Sequence, residues 1–268
     1  MTAALPADSA VGSASIWVLG QVAGRRRSAR VLHAGPDAVY LDLEGSCFGI
    51  LAARSVQVPC GVRTTLPSLP RVTPGAEATI DGGAIILPGL QVLVADIVDT
   101  TVPVLPPEVA ARGATQLTGL AAGRTERARD LLPAGAIDAL CRADAAAVPA
   151  LLGLGPGLTP LGDDVLAGWL ATAVAARHPG LPDVRRAVAL TAGERTTTLS
   201  ATLLACAARG EVVPELRSLL AGVAADDPAL VERSMASLLD VGDTSGAGVL
   251  LGTLCALESL TMLVGTAG

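Results

Sequence analysis

The chain has 268 residues, half of them hydrophobic (51%) but only four aromatic, and a net charge of −6. The acidic balance offers a nucleic acid no electrostatic footprint, and the core must be assembled from Ala, Leu and Val, which suits helices meeting at small residues. All nineteen basic residues are arginine; without lysine there is no Schiff base and no phosphate loop of the GKT or GKS type.

The N-terminal MTAALPADSAVGSAS lacks a basic stretch followed by an apolar core and does not read as a signal peptide. Arg25-Arg26-Arg27 is a short basic run, read as a solvated turn. Short runs at Ala29 to His33, Ala38 to Leu43 and Gln91 to Val98 are bounded by Gly, Pro and Asp and predict strands. Gly35-Pro36-Asp37 predicts a turn between the first two. Asp81-Gly82-Gly83, between Ala78-Thr79-Ile80 and Ala84 to Leu87, predicts a tight hairpin. The expected fold class is therefore α+β: a β-rich N-terminal sheet or small barrel, then an Ala/Leu-rich helical domain.

The Pro-rich stretch Val102 to Pro107 marks the boundary, giving expected domains of 1–103 and 104–268. Helices are expected at Pro107 to Ala122, Thr125 to Leu132, Ile137 to Leu152, Asp164 to Arg177 and Pro182 to Leu190. Further ones are expected at Gly193 to Arg209, Val213 to Ala221, Pro228 to Leu239 and Gly248 to Val264. Pro182, Pro214 and Pro228 stand where a first helical turn tolerates proline. Val165 to Ala176 is too short to span a membrane, and Val249 to Val264 carries Glu258 in its middle, so both read as buried helices.

Gly162-Asp-Asp-Val-Leu-Ala-Gly-Trp-Leu aligns without gaps to Gly246-Ala-Gly-Val-Leu-Leu-Gly-Thr-Leu, sharing GxxVLxGxL. Either two Ala/Leu/Gly helices coincide in a biased sequence, or two loop-to-helix corners face each other with Gly168 and Gly252 allowing close approach.

The stretch Gly153 to Asp164, GLGPGLTPLGDD, carries the strongest functional signal. Gly153, Gly155, Gly157 and Gly162 permit positive φ and close backbone approach; consecutive N–H groups there can form an anion-binding concavity, reinforced by the helix beginning near Asp164. Thr159 offers a hydroxyl, and Pro156 and Pro160 stiffen the loop. Asp163 and Asp164 read either as N-cap and dipole partner or as functional carboxylates that bind Mg²⁺, accept a proton or orient a substrate donor. Thr244, Ser245 and Gly246 in the second loop, and Thr197 near the start of a helix, are either caps or further ligand contacts; Arg195 is a solvated charge or a fixed positive partner for an oxyanion. His33 and His178 are too few for a His-rich metal site or a Ser-His-Asp hydrolase. Cys47, Cys60, Cys141, Cys206 and Cys255 show no CxxC pair, Cys206 and Cys255 read as buried small hydrophobes, and the pattern fits a reducing cytoplasm.

The string GxGPGLTPxGDDxLxG, with Gly35-Pro36, the helix after Arg195 and Gly242-x-Thr-Ser-Gly, resembles the AllH family of subunits associated with oxamate carbamoyltransferase in allantoin catabolism. The resemblance implies a cytoplasmic subunit of a carbamoyltransferase, binding a small anion such as carbamoyl phosphate or oxamate and assembling with other subunits. It implies ligand contacts from Gly155, Gly157, Thr159, Gly162, Thr197, Thr244, Ser245 and Gly246, and chemistry at Asp163, Asp164 and Arg195. No cofactor is implied with certainty, although Asp163 and Asp164 would be the ligands if Mg²⁺ is used. Neither a nucleic acid nor a membrane is expected as a partner. Leu161, where the family pattern suggests a small polar residue, and Gly248, where it suggests an acidic one, depart from it. The alternatives are a non-catalytic assembly subunit, or a Mg²⁺-dependent enzyme acting on another small phosphorylated or carboxylate substrate.

Overall fold

The structure, a computed structural model, describes residues 8–265; residues 1–7, part of the stretch read for a signal peptide, lie outside the described residues. The chain divides into two compact units, 1–99 and 100–268.

In the first unit the strands are β1 (Asp8–Ala14), β2 (Arg27–Ala34), β3 (Ala38–Leu43), β4 (Ser46–Leu51), β5 (Gly61–Thr64), β6 (Glu77–Asp81), β7 (Ala84–Leu87) and β8 (Leu90–Ile97). They form a closed barrel in the order β1-β5-β4-β3-β2-β6-β7-β8, sealed where β1 pairs in parallel with β8. The strands alternate as a barrel requires: Val39, Leu41 and Leu43 of β3 are buried while their neighbours are half-exposed. Asp81 pairs with Ala84 across Gly82 and Gly83, both at positive φ, so the hairpin loop has two residues, as its sequence predicts. Helix α1 (Ile16–Val22) was not among the expected elements, because seven residues are too few to display a helical period. Ser15 starts it: its hydroxyl accepts from the Val18 N–H (3.2 Å) and donates to the Pro59 carbonyl (2.7 Å). Val18 and Val22 then join the barrel core with Phe48, Ile50 and Ile80.

The second unit is helical: α2 (Pro107–Ala121), α3 (Glu126–Asp130), α4 (Ala134–Leu140), α5 (Val148–Leu151), α6 (Leu161–Ala175), α7 (Leu181–Arg195), α8 (Thr198–Ala208), α9 (Pro214–Ala225), α10 (Pro228–Leu239) and α11 (Ser245–Gly265). Four expected boundaries are corrected. The segment 137–152 is not one helix: Ala143 turns at φ 57° and Asp144 caps a short 3-10 turn by accepting from the Ala146 N–H (2.9 Å). Helix α7 continues to Arg195, so Gly193 is interior and not a start. Helix α11 begins at Ser245, and α6 begins at Leu161 with Pro160 as N-cap, so neither Asp163 nor Asp164 is the cap.

Helix α11 is long and apolar enough to cross a membrane by length and composition, but 56% of its most apolar stretch is buried inside this unit. The core around it contains Trp169, Leu170, Leu250, Leu251 and Leu257. Cys141 and Cys255 are paired in a disulfide between the end of α4 and α11, whereas Cys47, Cys60 and Cys206 are buried. A separation of 114 residues leaves no local spacing from which that pair can be read, so the sequence-based reading of Cys255 as a simple buried hydrophobe is corrected.

Candidate functional site

Helices α6 and α11 carry the two copies of GxxVLxGxL, and they pack against each other. A Cβ added at Gly168 would collide with the Val249 carbonyl oxygen, and one at Gly252 with the Val165 carbonyl oxygen. These contacts are reciprocal: each copy sets its glycine on the other copy's valine. Lower down, Thr172 donates to Thr253 (3.2 Å), and His178 Nε2 meets Ser259 Oγ at 2.9 Å. The Gly180 N–H donates to His178 Nδ1, which places the proton of the neutral ring on Nε2, and burial holds this imidazole below its ordinary pKa. The paired residue numbers rise together along both helices, so α6 and α11 run parallel about a two-fold-like axis, and their N-termini end side by side. The repeat is therefore a real structural correspondence and not a coincidence of composition.

The leading glycines have one job in both copies. A Cβ at Gly162 would strike the Leu151 carbonyl at the end of α5, and one at Gly246 the Leu238 carbonyl at the end of α10. Each permits the chain entering the central helix to fold back on the helix before it. Between α5 and α6, Gly153 (φ 75°) lies against the Arg195 carbonyl, where no side chain fits. Gly157 (φ 93°) is exposed with open space around it, so glycine is required there by conformation alone.

Asp163 and Asp164 are adjacent in sequence and opposite in circumstance. Asp163 is 1% exposed, and its carboxylate is filled from within the protein. Oδ1 accepts from the Gly153 N–H (2.7 Å); Oδ2 accepts from the Ser200 hydroxyl (2.6 Å) and from the Thr196 hydroxyl. An ionised carboxylate is an acceptor with about four lone-pair positions, and three donors here tie the loop to the corner between α7 and α8. Thr197 adds a second tie: its hydroxyl donates to the Leu158 carbonyl (2.5 Å) and accepts from the Ser200 N–H (3.0 Å), capping α8. Arg195 is exposed, and its guanidinium donates to the Pro149 carbonyl (3.2 Å), linking α7 to α5.

Asp164 is 8% exposed, and its Oδ2 is buried without a hydrogen-bond partner. Burial pushes its carboxyl up to about 8; the Ser245 hydroxyl bonded to it opposes the rise and the negative Asp163 adds to it. Ser245, the first residue of α11, also meets the Thr159 hydroxyl at 3.3 Å. The structure thus gathers Thr159, Asp164 and Ser245 where two helix N-termini converge. A buried carboxyl oxygen left without a partner costs stability and itself contributes no bond to the fold. Chemically it can accept an N–H or take a proton, beside partial positive charge from two helix ends.

Of the remaining candidates, Gly155 (φ 122°) packs on the start of α6, with a Cβ there 2.8 Å from the Leu161 nitrogen. The Thr244 carbonyl accepts from the Gly248 N–H (2.9 Å) in the first turn of α11. Ser200 and Thr196 are not among the residues the sequence singles out; their role on Asp163 becomes visible when α8 is folded against the loop. Among the described residues no group of three or more His, Cys, Asp or Glu stands together as a metal site.

The family model described as oxamate carbamoyltransferase subunit AllH matches residues 151–257. That span runs from the last residue of α5 into α11 and contains Thr159, Asp163, Asp164, Thr196, Ser200, Ser245 and Gly248; over it the chain is similar to that family. No curated protein and no solved structure matches the chain.

Proposed function

We propose that this AllH-like chain serves as a subunit of an oxamate carbamoyltransferase-like enzyme and holds a small anion bearing an NH₂ group, carbamoyl phosphate or oxamate, where α6 and α11 begin. One observation carries the reading: the buried, partnerless Oδ2 of Asp164, placed beside two hydroxyls at two adjacent helix N-termini. In this reading the helix ends and the loop around Gly155 and Gly157 favour the oxyanion, and Thr159 and Ser245 orient it. Asp164 accepts from the NH₂ group. When the amide nitrogen of oxamate bonds to the carbamoyl carbon of carbamoyl phosphate, the C–O bond to phosphate breaks, phosphate leaves, and the nitrogen loses a proton that Asp164 is the group placed to take. Asp163 and Thr197 hold the loop in shape, and Arg195 closes its outer side. Catalysis is by positioning and electrostatics rather than by a covalent intermediate.

Calorimetric titration of the purified chain with carbamoyl phosphate, oxamate and inorganic phosphate tests this. Binding of the first two, weakened at least tenfold in Asp164→Ala, is the expected result. Absence of binding by all three ligands rejects it. A second reading has its own support. Leu154 and Leu158, on the loop, are apolar and 37% and 41% exposed, which suits docking of another subunit of the enzyme. An assembly subunit of that kind would bind no ligand alone and would gain affinity only in the complex.

A further inference from the structure

The two copies of GxxVLxGxL are offset by 84 residues, which equates Leu161 with Ser245 and Asp164 with Gly248. At the head of the α6–α11 pair the two copies therefore contribute complementary residues. The first provides the carboxyl and the second the hydroxyl bonded to it. The first provides an isobutyl group and the second a glycine beneath it. A Cβ at Gly248 would lie 2.8 Å from Leu161 Cδ1 and 3.0 Å from Asp164 Cβ. Leu161 is 5% exposed, so its methyl group is fixed in the space that a side chain at position 248 would need.

We propose that Leu161 and Gly248 act as one specificity-determining pair: the buried Leu161 side chain, with the Asp164 Cβ and the Leu161 carbonyl, crowds position 248, so a single carboxyl reaches the two helix ends, and the site selects an anion with its own N–H donor over a divalent cation. The proposal rests on the small-anion reading above. Its chemistry follows from counting oxygens. A second carboxylate symmetric to Asp164 would put two acidic groups face to face, a donor set suited to Mg²⁺ or Mn²⁺. One carboxyl with one open oxygen, flanked by Ser245 and Thr159, suits an amide N–H. Asp163, the remaining carboxylate nearby, has its oxygens engaged by Gly153, Thr196 and Ser200.

Two experiments decide it. The first is a thermal-unfolding cycle over wild type, Gly248→Ala, Leu161→Ala and the double variant, which needs no ligand. Gly248→Ala is expected to lower Tm in the wild-type background and to cost much less in the L161A background. Equal losses in both backgrounds overturn the pairing. The second is calorimetry with carbamoyl phosphate and oxamate in Mg²⁺ and in EDTA, together with Mn²⁺ alone on wild type and on L161S/G248D. Wild-type anion affinity unchanged by EDTA, with Mn²⁺ binding gained only by the double variant, is expected. A tenfold loss of wild-type affinity in EDTA overturns the proposal, as does a folded double variant with no Mn²⁺ affinity. If L161S/G248D does not fold, the thermal cycle and the wild-type EDTA comparison still decide. Wild type that binds neither anion in either condition rejects the small-anion reading itself, and the thermal cycle then reports on the packing separately.

Discussion

Asp163 and Asp164 show how two identical neighbours on a helix acquire opposite energetics, since consecutive residues point about 100° apart. Asp163 is satisfied by three donors, so removing them is expected to destabilise. Ser200→Ala should cost about 1–3 kcal/mol, as a buried charged acceptor loses a hydroxyl donor. Its signature should be local: limited proteolysis should cut within 153–160 faster than in wild type. Unchanged cleavage with lowered Tm would show that the bond stabilises α8 without holding the loop. Asp164 predicts the reverse effect, with a pH window set by its shift. Its folded pKa of about 8 lies above the ordinary carboxylate value of about 4. The stability it contributes is therefore fully present below pH ~4 and is lost as pH rises through about 8. Asp164→Asn should leave Tm nearly unchanged at about pH 4 and raise it by at least a few degrees above pH ~8, where wild type must bury a charge. A Tm difference independent of pH would mean that the carboxyl titrates normally. These two roles were not separable in the sequence. Reading the helix as starting near Asp164 made both residues candidates for its edge; the start at Leu161 places both in the first turn, one facing Ser200 and the other Ser245.

At the scale of elements, glycine spacing proved the most legible feature. The repeat GxxVLxGxL encodes a contact directly, because its second glycine, without a Cβ, lets another helix's backbone approach. The reciprocal collisions at Gly168 and Gly252 show that contact. Gly168→Ala and Gly252→Ala should each cost more than the roughly 1–3 kcal/mol typical of overpacking, because the obstacle is a backbone carbonyl and not a movable side chain. The two losses should be less than additive, since the first already forces the helices apart; full additivity of the two Tm shifts would show that the contacts are independent. The strands were readable where alternation was clean, as in Ala38–Leu43, and where a turn dictated its own geometry, as in Asp81-Gly82-Gly83. Closure of the barrel was not, because the parallel pairing of β1 with β8 joins segments some eighty residues apart and leaves no local mark. The single expected helix over 137–152 failed for a different reason: Ala143 adopts positive φ without being glycine, and alanine there gives no warning.

At the scale of the molecule, the division of labour between the units makes the last prediction. Every group assembled at the site, from Leu151 and Gly153 through Asp163, Thr196 and Ser200 to Ser245 and Gly248, belongs to the unit 100–268. So do the buried apolar residues beneath it, which form one continuous cluster from Val102 to Leu257, and the Cys141–Cys255 disulfide. A core of that extent satisfies what independent folding requires of a domain of this size. The barrel has its own core, closed around Val39, Phe48, Ile50 and Ile80. Residues 100–268 expressed alone should therefore unfold cooperatively and bind carbamoyl phosphate or oxamate within about threefold of the intact chain, a difference of less than 1 kcal/mol. A fragment that folds, by the sharpness of its thermal transition, but loses the ligand would assign the barrel a direct part in the site. A fragment with full affinity would leave the barrel free for a separate task, and the search for the partner subunit's docking surface would begin there.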